Sequence, residues 1–291
     1  MNTPILTGIR EIINNYDGLI IDLWGVIHDG ITSYVGAKEA LEELKLRGKR
    51  IVLLSNAPRR ARNLVKFMTE LGIDRCLYKE IITSGESVYL ELLTRRDPWF
   101  ASIGRRCFYV GIDSDKNLIE GLDIDLVENV EQAQFILVTG PSEFNNRIED
   151  SAPLLDIAAK HFLPLVCANP DHIVISGGRS FICAGALASY YEKIGGIVRY
   201  RGKPDPAIYD VCLERLMISD RSRVLAVGDS FSTDVAGAHA SGLDCLFCSG
   251  GIHAEEIGFT CNEMPNVNKI ESTIMAHGNL RPTAVISNFI W

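Results

Sequence analysis

The sequence predicts an α/β fold, a mainly parallel sheet dressed with helices, with a second α/β unit inserted within the first. Three observations predict it. Short apolar runs such as GLIID and RVLAVGD alternate with amphipathic segments along the chain. The alternation restarts near residue 97 and resumes its first pattern after residue 198. A 47% hydrophobic content against 23% charged residues, in 291 residues, suits a globular chain of one large or two ordinary domains.

Residues 18–22 (GLIID) read as the first strand. GAKEALEELKLRG follows as a helix with Ala37, Ala40, Leu41 and Leu44 on one face and Gly48 as its stop. RIVLLSN, residues 50–56, is the second strand. Pro58 suits the first turn of a helix whose apolar face is Leu64, Phe67, Met68 and Leu71, ended by Gly72. IITSGESVYLELL reads as a short strand, a Ser84 cap and another helix. In the inserted stretch CFYVG, QFILVTG and LPLVCAN are strands, with helices at 148–160 and 183–194. RVLAVGDS, the helix in TDVAGAHASG and DCLFCSGG then resume the outer unit. The segment after about residue 250 finishes the core, and its ending in Phe289, Ile290 and Trp291 predicts a terminus packed against something.

Composition excludes several classes. A formal net charge of -8 argues against a nucleic-acid surface, whose phosphate contacts need clustered cations; Arg199, Arg201 and Lys203 are a local exception. No apolar run approaches the roughly 18 residues of a membrane span. MNTPILTGIREIINNYDG lacks the basic start and apolar segment of a secretory signal. Eight cysteines scattered through apolar segments fit reduced, buried thiols of a cytoplasmic protein better than a disulfide framework. Cys245 and Cys248 form a CxxC with strand-like Leu246 and Phe247 between them, and no second pair completes a zinc site.

The chemistry lies at strand ends, because ligands of an open parallel sheet bind beyond the carboxyl ends of its strands. Asp22 ends the first strand, Ser55 and Asn56 the second, and Asp229 ends RVLAVGD; Lys203 precedes Pro204 just after the insertion. Each is weak alone, since Asp caps many strands and Ser-Asn is commonly a turn. Together they make a phosphoryl-transfer set. A carboxylate can attack phosphorus, carboxylates from separate strands can hold Mg²⁺, and a lysine with hydroxyl or amide donors can stabilise the transferring oxygens.

DLWGVIHDG, LLSNAPR, RGKPDPAIY and VGDSFSTDVAGAHASG resemble the motifs of the haloacid dehalogenase-like hydrolase superfamily. The chain looks closest to subclass IIA, the NagD-like phosphatases, which include sugar-phosphate, phosphoglycolate and pyridoxal-phosphate phosphatases; CANPDHIVISGG and CAGALASYYEKIGG resemble that subclass's Asn-Pro-Asp turn and small-residue helix. The resemblance implies a Rossmann-like three-layer core from residues 1–96 and 199–291 and an inserted α/β cap from 97–198. It implies a Mg²⁺-dependent hydrolase of a small phosphorylated metabolite, a sugar phosphate or similar. By position, Asp22 is the nucleophile, with Asp229 and the Trp24 carbonyl beside it on Mg²⁺. Ser55 binds the phosphoryl group, Asn56 positions the loop, and Lys203 neutralises nucleophile and phosphate. Asp234, five positions after Asp229, supports the metal directly or through water. Asn169, Asp171 and His172 of the cap turn face the substrate or serve only the turn, and pairing of two copies through the cap is a family-level expectation.

One residue departs from the pattern. Phosphatases of this family carry Asp two positions after the nucleophile, as general acid and base; here that position is Trp24, whose indole only donates. Such help is worth about 10²–10⁴-fold in rate. His28 and Asp29 just downstream are either substitutes or, more simply, a hydrogen-bonded loop histidine and the start of an Asp-Gly turn. Trp24 is either a packing residue that orders the loop or a platform for an aromatic substrate. The alternatives are therefore a phosphatase of reduced or specialised activity and a phosphometabolite-binding, regulatory protein that has lost turnover.

Overall fold

The computed structural model describes residues 3–143, 147–176, 179–259 and 264–291. Its strands are β1 (Ile5–Leu6), β2 (Gly18–Asp22), β3 (Arg50–Ser55), β4 (Glu80–Thr83), β5 (Arg106–Val110), β6 (Asp125–Leu126), β7 (Phe135–Val138), β8 (Leu165–Cys167), β9 (Ile173–Ser176), β10 (Arg179–Ile182), β11 (Val198–Tyr200), β12 (Val224–Gly228), β13 (Asp244–Cys248) and β14 (Ala284–Ile286). Seven form a parallel sheet in the order β1-β14-β13-β12-β2-β3-β4. Five form a second parallel sheet, β11-β8-β7-β5-β6, and β9 and β10 form a hairpin of their own.

Burial on both faces explains the continuous apolar reading of the central strands. Every residue of β2 is buried. Side chains alternate across a strand, so Leu19 and Ile21 join Leu41, Leu44, Leu64 and Met68 on one face of the sheet, while Ile20 joins Ile208, Leu213, Ile270 and Ile274 on the other. Helices thus cover both faces, giving a three-layer α/β core. The second sheet repeats the arrangement. Ile136 and Val138 meet Leu155 and Leu187 of the helices Ile148–Lys160 and Ala184–Lys193. Phe135 and Leu137 meet Val88 and Leu92 of the helix Ser84–Thr94.

Local differences from expectation have local causes. The helix expected at Pro58 begins at Ala61, because Arg60 is still extended (φ −62°, ψ 139°). Phe67 on that helix is only half-buried, since it lines the large cavity described below. Thr83, not Ser84, caps the next helix: its Oγ1 accepts the Glu86 N–H at 2.8 Å and donates to the Arg59 carbonyl at 2.6 Å. Ser84 sits inside the first turn and donates to the Arg201 carbonyl instead. The segment TDVAGAHASG is a π-type turn, Phe231–Val235, running into the helix Ala236–Ala240. The β9–β10 hairpin was not among the expected elements. The apolar C-terminus packs as expected: Phe289 is buried, the Ile290 carbonyl takes the Ile9 N–H at 2.9 Å, and the Arg47 guanidinium lies 4.2 Å from the Trp291 ring centroid. The seven described cysteines are free; Cys261 lies outside the described residues. Cys245 and Cys248 are buried in β13, where burial raises both thiols above their usual range. No described helix is long and apolar enough to cross a membrane.

Replacing Thr83 by Ala removes the cap oxygen and the Arg59 bond together. We expect a loss of about 1–2 kcal/mol of stability, read from the urea midpoint at unchanged slope.

Candidate active site

β2 lies at the point where the strand order reverses: the chain builds β3 and β4 on one side of it and β12, β13 and β14 on the other. Loops leaving neighbouring strands diverge at such a point and open a crevice at the carboxyl ends. Asp22 is the last residue of β2 and is aligned with Leu54, next to Ser55; Asp229 follows β12, whose Val227 is aligned with Ile21. Parallel register alone therefore brings three of the expected residues to one edge.

Lys203 joins them from the other side of the insertion. Its Nζ donates to Asp22 Oδ1 at 2.6 Å and to Asp234 Oδ1 at 2.7 Å, and all three residues are buried. Asn56 holds the lysine's backbone at both ends, its Oδ1 accepting the Lys203 N–H at 2.8 Å and its Nδ2 donating to the Lys203 carbonyl at 3.1 Å. Asp234 also accepts the Ser230 N–H at 3.2 Å, and Asp229 accepts the Ile252 N–H at 2.6 Å. Gly25, at φ +86°, is required here: a Cβ would stand 1.9 Å from Asp229 Oδ2.

The electrostatics of this cluster are unbalanced. One oxygen from each of Asp22, Asp229 and Asp234 falls within 4.8 Å of the others, and the Lys203 ammonium faces two of them. Burial pushes the Asp22 carboxyl up to about 7; Lys203 pulls it down and Asp234 pushes it further up. Asp229 is raised well above the carboxylate range by burial and then by Asp22 and Asp234. Burial opposes the Lys203 charge, but Asp22 and Asp234 outweigh it and keep the ammonium protonated well above its usual range. Carboxylates that resist ionisation until a second positive charge arrives are a donor set for a hard divalent cation, which prefers oxygen ligands. The residues fit such an ion.

Ser55 Oγ accepts the Ala57 N–H at 3.2 Å and lines the same crevice. Of the turn residues, Asn169 uses its Oδ1 on the Asp171 N–H at 3.0 Å, and Asp171 Oδ1 accepts from Asn56 Nδ2 at 2.9 Å. His172 is exposed and meets Ser189 Oγ at 3.1 Å. All three border a cavity of about 750 Å³ that runs from Asp22 and Lys203 to Phe67, Ile175 and Phe181.

Trp24 is half-buried at the edge of this cavity, and its Nε1–H donates to the Ile175 carbonyl of β9 at 2.8 Å. Gly30, at φ +89°, lies under the indole, where a Cβ would stand 2.2 Å from Cη2. His28 packs edge-on between Trp24 and Phe67, at centroid distances of 5.4 and 5.2 Å. Its Nδ1 accepts the Gly30 N–H at 3.0 Å, and burial pushes its pKa down to about 4. His28 is a neutral packing imidazole with its lone pair in use. Asp29 Oδ1 accepts the Ile31 and Thr32 N–H groups at 2.9 and 2.8 Å, the turn role of an Asp before Gly.

Sequence reasoning missed two parts of this site. The hairpin had a signal, since Ile173, Val174 and Ile175 are separated by Gly177 and Gly178 from Phe181 and Ile182. The Ile252 N–H on Asp229 had none, being a backbone group in a loop. A separate group, His253, Glu256 and His277, stands behind Phe231: His253 Nδ1 and His277 Nε2 reach Glu256 Oε2 at 2.8 and 3.2 Å, and His253 Nε2 takes the Phe231 N–H at 3.4 Å.

Residues 19–125 match the family model for haloacid dehalogenase-like hydrolases, and residues 200–267 match a second HAD-hydrolase-like model. A crystal structure of a haloacid dehalogenase-like hydrolase from Brucella suis 1330 is 33% identical, with a TM-score of 0.83, over 98% of this chain and 100% of that one. The chain belongs to the haloacid dehalogenase-like hydrolase family. Curated relatives include D-glycerol 3-phosphate phosphatase of Mycobacterium tuberculosis, 27% identical over 84% of this chain and 66% of that longer protein. Acid sugar phosphatase of Staphylococcus aureus is 22% identical over 84% of this chain and 90% of its own length. The chain is a haloacid dehalogenase-like hydrolase of subclass IIA type, with Asp22 ending β2 and Asp229 following β12.

The raised Asp22 carboxyl has a thermodynamic consequence. Its folded pKa of about 7 exceeds that of an unfolded Asp, about 3.9, so its stabilising contribution is complete below about pH 3.9 and is lost as pH rises through about 7. A bound divalent cation offsets that loss. We expect millimolar MgCl₂ to raise the melting temperature more at pH 8 than at pH 5; equal shifts at both pH values would contradict this account.

Proposed function

We propose that this chain hydrolyses phosphate monoesters of small metabolites, a sugar phosphate or a compound of similar size, with Asp22 as nucleophile and Mg²⁺ as cofactor. One observation carries the reading: Lys203 Nζ bridges Asp22 and Asp234 beside Asp229, at the end of a cavity large enough for a small phosphoester. Relatives named as glycerol-phosphate and sugar phosphatases support it, as does a solved relative, 22% identical, described in complex with magnesium.

In this reading residues 1–96 with 199–291 are the catalytic core and 97–198 the cap that excludes water and selects the substrate. Asp22, the Trp24 carbonyl and Asp229 would hold Mg²⁺, with Asp234 in support; the ion would neutralise phosphate charge. An Asp22 oxygen forms a bond to phosphorus as the ester P–O bond breaks, and the leaving oxygen departs as its anion or takes a proton from the substrate's own group or from water. Lys203 and Ser55 hold the phosphoryl oxygens throughout, and Asn56 keeps Lys203 in place. Water then attacks phosphorus, the Asp22–phosphorus bond breaks, and inorganic phosphate leaves.

Trp24 determines which esters suit this scheme. Its N–H is already engaged by Ile175, and the His28 lone pair by Gly30, so neither is disposed to protonate a leaving alkoxide or to activate water. Substrates whose leaving groups need no proton, or carry their own, are favoured. The same two bonds favour a second reading, in which the protein binds phosphometabolites with Mg²⁺ and turns them over little or not at all.

With Mg²⁺ present, p-nitrophenyl phosphate should turn over roughly 10²-fold or more faster than glycerol phosphate, the span that general acid catalysis otherwise closes. Asp22→Asn should remove at least about 10³-fold of whatever rate is measured. Mg²⁺-dependent binding of both esters without Asp22-dependent release of phosphate would favour the second reading.

A further inference from the structure

The β9–β10 hairpin raises a question of mechanical support. It forms a two-stranded sheet of its own, separate from the five-stranded sheet on either side of it in sequence. Its residues are half-buried or exposed, and an isolated hairpin of four paired residues per strand is at best marginal in water. Yet Ile173, Val174 and Ile175 of β9 and Phe181 and Ile182 of β10 line the cavity that also reaches Asp22, and an apolar lining must be held in place to select anything.

The nucleophile loop supplies a support. The Trp24 N–H reaches 151 positions along the chain to the Ile175 carbonyl, in the middle of β9, at 2.8 Å. The indole that carries this N–H is itself held on two sides: Gly30 admits its six-membered ring, and His28, backed by Phe67, packs against it. The Gly30 N–H orients the His28 ring. The DLWGVIHDG stretch therefore aims one hydrogen-bond donor at the hairpin from a rigid base. We propose that Trp24 is a positioning residue, which fastens the β9–β10 hairpin over the nucleophile loop and so fixes the apolar wall that the leaving group meets. The position two beyond the nucleophile serves the attachment of the cap to the core instead of proton transfer. The bearing on substrate choice rests on the phosphatase reading; the fastening does not.

Hydrogen exchange tests it without requiring turnover. Trp24→Phe keeps an aromatic ring on the loop and removes the donor together with the ring edge over Gly30. The amides of Ile173–Ser176 and Arg179–Ile182 should then exchange at least fivefold faster, while those of β2 and β12 stay within twofold of the parent protein. Unchanged exchange in the hairpin overturns the proposal. So does a rise shared equally by the central sheet, which would make the residue a packing element alone. Should Trp24→Phe fail to fold, Gly30→Ala decides: it keeps the N–H but drives a methyl into the ring, and the same amides should loosen. Hairpin exchange at the parent rate in that variant overturns the proposal, whether or not p-nitrophenyl phosphate is hydrolysed.

Discussion

The structure at the strand ends depends on one buried ammonium. Lys203 arrives from beyond the insertion and bridges Asp22 and Asp234 at once, where a buried charge left without a partner would be costly. The pairing needs the insertion to end where it does, Asn56 to grip the lysine's backbone, and the turn after β12 to present Asp234. It also leaves Asp229 short of a counter-charge, with the Ile252 N–H donating to it. A cluster built in this way is stable enough to fold and remains short of positive charge, a donor set that suits a hard divalent cation.

Much of this was legible in the primary structure because it rests on short-range rules. Continuous apolar runs marked β2, β3 and β12, since both faces of a parallel sheet are covered. A polar residue closing such a run then falls at a carboxyl end, so Asp22, Ser55 and Asp229 are identifiable from strand position alone. Lys203 needed the motif around it, for no periodicity links a loop lysine to a strand 181 positions away.

What escaped depends on tertiary context. Thr83 and Ser84 are equivalent caps on paper; Ser84 loses the role because its hydroxyl is turned toward the Arg201 carbonyl. Phe67 reads as a core residue at helical spacing, yet it borders the cavity beside His28. The alternatives for His28 and Asp29 were resolved by which backbone N–H groups stand within reach, a matter of loop geometry. Trp24 was conspicuous from the start, but its partner lies in a hairpin whose place over the loop only the folded chain supplies.

The helix Ser84–Thr94 precedes the second sheet in the chain and belongs to both halves of the molecule. It grows directly from β4 of the central sheet, while Val88 and Leu92 sit in the apolar layer beneath Phe135 and Leu137. Arg201, where the chain returns, is paired to Glu91 on the same helix and to Asp97 just after it. The outgoing and returning strands of the connection are thus strapped to one rigid rod. Excising the second sheet would leave that rod with an oily flank in water, so the stability of the central sheet is tied to that of the second.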